Sequence, residues 1–234
     1  MIQTTLFDLS DDIQIYSETN KDKIILDLCG GTGAWSRPYK QAGYDVRVIT
    51  LPDDDVCKYN PPKKVYGILA APPCTMFSIA RNDKTAKSPR DLRQGMKIVN
   101  ACLRIIHECI FDDFRVDEGL RFWAMENPAT GYLKRFLGKP ALIFDPCDYG
   151  DPYTKKTALW GVFNEPVKNK IIPRDISNEF HIKDHNCFTS RPSSFKDLKP
   201  IPEGYKEKTG YENQTIIRSI TPEHFAIAFY KANQ

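Results

Sequence analysis

The chain has 234 residues, a formal net charge of +3 and a pI near 8.4. Its composition of 41% hydrophobic and 27% charged residues is that of an ordinary globular protein, and its length suits one domain with a small appendage. The charge balance excludes the strongly basic class of dedicated nucleic-acid binders, although it permits a nucleic-acid partner.

Seven cysteines are spread along the chain without a CxxC pair, so the sequence indicates neither a disulfide framework nor a zinc site. Reduced thiols are typical of the cytosol, and we therefore expect a cytoplasmic protein. No stretch approaches the ~18 apolar residues of a membrane span, and residues 1–20 lack the apolar core of a signal peptide. We expect no metal, no membrane partner and no leader.

The first buried strand is predicted over residues 23–28 (KIILDL), and a glycine-rich turn follows it. Gly30, Gly31 and Gly33 let backbone N–H groups approach a ligand and lead into a helix predicted over residues 35–42. A glycine-rich turn without a ligand explains this segment equally well.

The second strand is predicted over residues 44–51. Nucleotide-binding sheets commonly place an acid at the end of this strand to accept hydrogen bonds from ribose hydroxyls. Thr50 stands at that position, and three aspartates at 53, 54 and 55 follow. A solvated turn explains at least two of them, and Asp53 is the predicted ribose acceptor.

The third strand is predicted over residues 65–70, and Ala71, Pro72, Pro73 and Cys74 follow it. Open α/β sheets bind ligands at the carboxyl ends of their strands, and the two prolines stiffen the loop. Cys74 is therefore a candidate nucleophile. The alternative is a small buried hydrophobic residue, which is the commoner role of a free cysteine.

A polar stretch over residues 81–87 then precedes an amphipathic helix, whose start is predicted at Ser88 and Pro89. The basic residues of this stretch form either a solvated face or a lid that contacts phosphates. The next strand, over residues 121–125, is predicted to end at Glu126, a carboxylate that is a candidate acid or a turn-former.

The remaining sequence begins with a strand over residues 153–161 that has a basic entrance. Residues 163–211 are rich in lysine and proline and lose periodicity. Thr221, Pro222 and Glu223 predict the start of a closing helix over residues 225–231.

The ordered combination of DLCGGTG (27–33), APPC (71–74), ENP (126–128) and YTKKTALW (153–160) resembles the DNA (cytosine-5)-methyltransferase family, in the short form found in phage and prophage genomes. The resemblance covers residues 23–161 and the closing segment over residues 218–233. It implies an α/β, Rossmann-like S-adenosylmethionine-dependent methyltransferase fold with a mostly parallel, doubly wound sheet. The implied parts are a catalytic, cofactor-binding domain (1–162), a short target-recognition insert (163–212) and a C-terminal helix that packs back on the catalytic domain (213–234).

The resemblance also implies a reaction, in which a methyl group passes from S-adenosylmethionine to carbon 5 of cytosine in DNA without a metal. Cys74 would add to carbon 6 of an extruded cytosine, and Glu126 would share a proton with ring nitrogen N3. Lys155 and Thr157 stand where the family has two arginines, and both are assigned to the catalytic set.

Further positions are predicted to bind the cofactor or DNA, some of them at places where the family carries another residue. The cofactor set is Asp27, Cys29, Gly30, Gly31, Gly33, Thr50, Asp53, Asp55, Val56 and Pro72. The DNA-binding set is Thr75, Ser78, Arg81, Lys84 and Lys156. The chain departs from the family pattern at Cys29, Thr50, Thr75 and Lys155.

Three alternatives stay open. Amino methylation of a base is disfavoured because Ala71 cannot accept a hydrogen bond and Cys74 cannot stack on a ring. A non-catalytic DNA-binding relic is motivated by the four departures, and a methylase acting on a free pyrimidine nucleotide is motivated by the short insert. We expect DNA as partner, a monomer, a helper protein for target recognition, and a bacterial or phage-infected cell as the setting, in restriction-modification.

Overall fold

The computed structural model describes residues 20–79, 81, 84, 86, 88–111, 119–151, 153–168, 201–210 and 213–234. Two predicted segments lie mostly outside these residues: the polar stretch over residues 81–87 and the insert over residues 163–212.

The described residues form six strands in one mixed sheet. The strands are β1 (Ile24–Leu28), β2 (Asp45–Ile49), β3 (Val65–Ala70), β4 (Phe122–Pro128), β5 (Leu142–Phe144) and β6 (Thr157–Val162). Their order across the sheet is β2-β1-β3-β4-β6-β5, in which the first four are parallel and β6 runs antiparallel to both of its neighbours. The predicted α/β class is confirmed.

Six α-helices accompany the sheet in the described part of the chain. They are α1 (Arg37–Gln41), α2 (Leu92–Phe111), α3 (Lys134–Leu137), α4 (Tyr205–Thr209), α5 (Asn213–Ser219) and α6 (Glu223–Ala232). Short 3₁₀ turns occupy Cys74–Met76 and Pro146–Asp148.

Helices cover both faces of the sheet because successive strand residues point to opposite sides. Leu26 and Ile68 pack with residues of α2, including Ile105, in one apolar cluster. Their neighbours Ile25 and Leu69 pack in a second cluster with residues of α1 and α6. The apolar runs of β1 and β3 are therefore buried on both sides.

The closing helix is anchored by aromatic packing and by a buried hydrogen bond. Phe225 of α6 stacks on Phe144 of β5 with 4.0 Å between ring centroids. The hydroxyl of Tyr39 on α1 donates to the carbonyl oxygen of Asn233 at 3.2 Å. The C-terminal segment thus packs against the same face of the sheet as α1.

Several element boundaries differ from the sequence prediction, and β6 begins at Thr157 instead of at residue 153. Helix α2 begins at Leu92 instead of at Ser88 and Pro89, and the Asp91 carboxylate accepts a hydrogen bond from the Gln94 N–H at 2.9 Å. Strand β4 continues to Pro128, so Glu126 lies within the strand and not at its end. The reason is the antiparallel pairing with β6, in which Glu126 faces Leu159.

The strand order creates a crevice at the carboxyl ends of β1 and β3. From β1 the chain passes to β2 on one side, and it then returns to β3 on the other side. The loops that follow β1 and β3 therefore diverge at this point. In open α/β sheets such a switch point is where ligands bind.

Candidate active site

The loop after β3 presents Cys74 as a partly exposed thiol. Cys74 opens the 3₁₀ turn, and its carbonyl oxygen accepts hydrogen bonds from the N–H groups of Phe77 at 2.9 Å and Ser78 at 2.8 Å. Phe77 is fully buried and anchors this turn in the core. Cys74 therefore sits on a fixed loop and, like Cys29 and Cys57, is partly exposed, whereas Cys102, Cys109 and Cys147 are buried.

Arg90 braces the same loop from the segment that precedes α2. Its guanidinium donates to the carbonyl oxygens of Met76 at 2.8 Å and Ser78 at 3.2 Å. It also lies over the Tyr132 ring, 5.1 Å from the ring centroid. The sequence prediction missed Arg90, because no local pattern shows that it points back to the Cys74 loop.

Asn127 connects the Cys74 loop to the neighbouring strand. Its side-chain amide donates to the carbonyl oxygen of Pro72 at 3.0 Å, and the residue is fully buried. Strands β3 and β4 are direct neighbours, with Ala70 opposite Met125, and adjacent strands lie about 4.8 Å apart. Glu126 and Cys74 are thus held on adjoining elements. Sequence reasoning assigned no role to Asn127.

Lys155 lies beside Glu126, with 3.8 Å between Nζ and Oε1 and side-chain exposures of 16% and 21%. The antiparallel pairing of β6 with β4 brings the basic segment to this position. Thr157 is buried, and its hydroxyl donates to the Lys155 carbonyl at 2.6 Å. Lys155 therefore reaches the predicted catalytic acid directly, while Thr157 contacts the backbone that carries Lys155.

Asp27, at the end of β1, lies completely buried under the glycine-rich turn. Burial raises the pKa of its carboxyl from the ordinary 3.8 to about 6, although the hydrogen bond from the Ser36 hydroxyl, 2.6 Å from Oδ2, acts in the opposite direction. A Cβ at Gly30 would lie 2.3 Å from the Asp27 carboxyl carbon, so only glycine fits there. The second oxygen, Oδ1, has no hydrogen-bond partner within the described residues.

The turn above Asp27 has three residues in the left-handed backbone region, namely Cys29, Gly31 and Gly33, with φ values of 56°, 58° and 69°. This conformation is unusual for a residue with a side chain, such as Cys29. Its thiol shares a hydrogen bond with that of Cys102, which together with burial raises the pKa of Cys102. Cys29 thus points toward α2, and the glycines leave the ligand side of the turn without side chains.

The loop after β2 carries the remaining predicted cofactor residues. The Asp55 carboxylate accepts a hydrogen bond from the Cys57 N–H at 3.0 Å, and Val56 is buried in the core. The Thr50 carbonyl accepts from the Asp54 N–H at 2.9 Å. Asp53 is exposed and forms an ion pair with Lys208. An open cavity of about 510 Å³ lies along this acidic loop, between residues 51 and 60.

The predicted DNA-binding residues lie at the surface of the Cys74 loop and of the β6 entrance. Thr75, Lys84 and Lys156 are exposed, and Ser78 and Arg81 are half-buried. The Arg81 guanidinium donates to the Ser88 carbonyl.

A further basic residue, Arg135 of α3, lies near the Cys74 loop. Arg135 lies 5.1 Å from the Tyr132 ring centroid, as Arg90 does, so both guanidinium groups contact one ring. Arg135 is exposed, and the sequence prediction did not include it.

Fold and site together define an α/β protein whose mixed six-stranded sheet is compatible with a Rossmann-like fold. Comparison with known proteins finds no matching family model and no matching curated sequence. Within the described ranges, no helix has the length and apolar character needed to cross a membrane. In the same part of the chain, no three His, Cys, Asp or Glu side chains are grouped so that they could hold a metal ion.

Proposed function

We propose that this protein transfers a methyl group from S-adenosylmethionine to carbon 5 of cytosine in DNA, through a covalent bond between Cys74 and carbon 6 of the base. The proposal is carried by one observation, the position of the Cys74 loop beside the strand that holds Glu126. A partly exposed cysteine on a braced loop lies next to the strand that holds Glu126 and its ion-pair partner Lys155. The resemblance to the DNA (cytosine-5)-methyltransferase family also supports it, because the matching motifs contain the same cysteine and glutamate.

The chemistry begins with the thiolate, because carbon 5 of cytosine is a poor nucleophile until carbon 6 has been attacked. As Cys74 Sγ bonds to carbon 6, electron density moves toward ring nitrogen N3, which takes a proton from the Glu126 carboxyl, leaves a carboxylate there, and returns the proton when the S–C bond breaks. Carbon 5 is then an enamine carbon and takes the methyl group. Loss of the carbon-5 proton to solvent and breakage of the S–C bond release the product and restore the thiolate.

Lys155 provides a positive charge at the point where the catalytic carboxylate is half-buried. A carboxylate at such a position is costly unless a cation compensates it. Lys155 Nζ, 3.8 Å from Glu126 Oε1, supplies that compensation. Because an ammonium is a point charge without the fork of a guanidinium, Lys155 fixes the orientation of Glu126 less strictly than an arginine would.

The turn after β1 fits S-adenosylmethionine. Asp27 offers a buried oxygen that lacks a hydrogen-bond donor among the described residues, which is the acceptor that an ammonium group or an ordered water would complete. Gly31 has no side chain to block the approach of a ligand to its backbone on the same turn, whereas the N–H of Gly33 already donates to the Gly30 carbonyl at 2.9 Å. Asp27 and Gly31 would hold the amino-acid end of the cofactor and Asp53 would hold its ribose. When bound, the cofactor supplies an electrophilic methyl group.

A cytosine inside a stacked duplex cannot reach Cys74, so the enzyme must extrude the base or act on single strands. Arg81, Lys84 and Lys156 are the proposed phosphate contacts, because they are basic and lie on the segments that follow Cys74 and precede β6. Recognition of a target sequence would rest on the short insert or on a helper protein.

The first experiment measures transfer of tritium from labelled S-adenosylmethionine to three acceptors: DNA, RNA and dCMP. Transfer to DNA that is recovered as 5-methylcytosine supports the proposal. Transfer to dCMP alone identifies a methylase of free nucleotides, and recovery of a methylated amino group identifies the amino-methylating class. Binding of DNA without any transfer indicates a relic of the family.

The second experiment tests the covalent step. DNA that contains 5-fluorocytosine should form a denaturation-resistant adduct with the wild-type protein in the presence of the cofactor, because fluorine blocks the final elimination. Cys74→Ala should abolish the adduct, and Cys109→Ala, a substitution of a buried cysteine on α2, should retain it. An adduct that persists in Cys74→Ala contradicts the mechanism.

A further inference from the structure

Helix α4 crosses over the glycine-rich turn and reaches the loop after β2. A Cβ placed on Gly31 would lie 3.3 Å from the hydroxyl oxygen of Tyr205, which belongs to α4. Three residues further along α4, Lys208 forms its ion pair with Asp53. Helix α4 therefore spans the distance between the two loops that follow β1 and β2.

Apolar contacts of the residues before and after α4 in the chain hold the helix in this position. Ile216 and Ile220 form a buried cluster with Ala34 of the glycine-rich turn, and Ile201 and Tyr205 pack against it. Ile217 packs with Tyr153 in an adjoining cluster, which Ile201 also contacts. The position of the Tyr205 hydroxyl above Gly31 is thus fixed by packing around α4.

The ion pair has little to do with holding the fold. The side chains of Lys208 and Asp53 are 49% and 56% exposed, and exposed pairs of this kind contribute little to stability. A carboxylate has two oxygens and can accept several hydrogen bonds at once. The Lys208 ammonium donates a hydrogen bond to Asp53 Oδ2. This bond orients the other oxygen of the same carboxylate toward a second donor.

We propose that Tyr205 and Lys208 complete the cofactor site from the carboxyl-terminal side. The Tyr205 hydroxyl binds the amino-acid end of S-adenosylmethionine above Gly31, and Lys208 orients Asp53 for a ribose hydroxyl. This inference rests on the proposed function, since it concerns the same cofactor. It adds a part of the chain that lies more than 170 positions from the glycine-rich turn and that no motif had indicated.

The experiment compares the binding of two probes by calorimetry: S-adenosylhomocysteine, which has both ends of the cofactor, and adenosine, which lacks the amino-acid end. Tyr205→Phe should weaken S-adenosylhomocysteine binding about 10-fold, the scale expected for loss of one hydrogen bond to a charged group, and should leave adenosine binding unchanged. Lys208→Met should weaken both probes. Lys206→Met, an exposed lysine on the same helix, is the matched control and should change neither.

The outcomes separate this inference from the proposed function. If the wild type binds S-adenosylhomocysteine and Tyr205→Phe binds it equally well, the role of Tyr205 is wrong while the proposed function stands. Equal weakening of both probes by Tyr205→Phe makes the residue merely structural and also overturns its role. If the wild type binds neither probe, the cofactor assignment itself fails, and the inference fails with it. Protection of residues 201–210 from hydrogen exchange on adding S-adenosylhomocysteine gives independent support.

Discussion

The side-chain amide of Asn127 donates a hydrogen bond to the carbonyl oxygen of Pro72 at 3.0 Å, in a region that is closed to solvent. This bond joins the strand that carries Glu126 to the loop that carries Cys74. The two proposed catalytic groups belong to segments more than 50 positions apart, and the Asn127 bond is a direct polar tie between those segments. Their relative position therefore depends on an amide that takes no part in the chemistry.

Replacing Asn127 by Ala should lower both stability and activity. The buried carbonyl of Pro72 loses its donor, which costs about 1–3 kcal/mol in the free energy of unfolding. Misplacement of a catalytic group by about 1 Å is enough to reduce a rate ~100-fold, so the rate of tritium transfer should fall more than the affinity for DNA. Urea unfolding and single-turnover kinetics measure the two effects. Asn100→Ala, at an exposed position of α2, should leave both unchanged.

Replacing Arg90 by Met should loosen the Cys74 loop. The variant removes both hydrogen bonds to the Met76 and Ser78 carbonyls and the contact with Tyr132. We expect the Cys74 thiol to be alkylated several-fold faster by iodoacetamide, as measured by peptide mass spectrometry. Arg90→Lys should restore this only in part, because an ammonium lacks the planar fork of the guanidinium. Arg93→Met, at an exposed position of α2, is the control. Equal labelling rates in all variants would show that Arg90 does not hold the Cys74 loop in place.

Local sequence signals predicted the central strands well. The run VYGILA was predicted as a strand over residues 65–70, and β3 has the same bounds, because turn residues flank an apolar run that is buried on both faces. The glycine-rich turn was also predicted, because glycine adopts left-handed backbone conformations without strain. In both cases the information lies within a few residues of the element.

Features that depend on distant partners could not be predicted in this way. Glu126 lies inside β4 because β6 pairs with that part of the strand, and nothing near Glu126 in the sequence indicates the pairing. Lys155 was predicted from the family resemblance, while its contact with Glu126 follows from the same antiparallel pairing. The contacts of Arg90 with the Cys74 loop and the approach of Tyr205 to Gly31 likewise arise from packing between remote segments.

Asp27 should make stability depend on pH in an unusual direction. Its folded-state pKa of about 6 lies above its ordinary value of 3.8, so the native state binds the proton more tightly than the unfolded chain. This group therefore stabilises the protein most below about pH 4, and its contribution declines as pH rises to about 6. By about 1.4 kcal/mol per pKa unit, the total change is roughly 2–3 kcal/mol.

Replacing Asp27 by Asn should remove this component. The compared quantity is the unfolding free energy of Asp27→Asn minus that of the wild type, measured by urea titration at each pH. This difference should be more positive at pH 7 than at pH 4.5, because the wild type loses the contribution of protonated Asp27 as pH rises. Taking the difference between the two proteins cancels the titration of other carboxyl groups. Asp22→Asn, at an exposed position just before β1, is the matched control. A pH-independent difference for Asp27→Asn would mean that the buried carboxyl keeps an ordinary pKa.

The neighbouring lysines 155 and 156 should separate catalysis from DNA affinity. Lys155 is half-buried beside Glu126, whereas Lys156 is exposed at the entrance of β6. Lys155→Met leaves the Glu126 carboxylate without its cation, so we expect the transfer rate to fall at least ~10-fold while the salt dependence of DNA binding stays the same. Lys156→Met removes one phosphate contact, so the slope of log K against log salt should become shallower by about 0.9 with little change in the rate at saturating DNA. Filter binding at several salt concentrations, together with single-turnover kinetics, measures both quantities. If the two variants exchange these effects, the phosphate contact belongs to Lys155 and the proposed support of Glu126 is wrong.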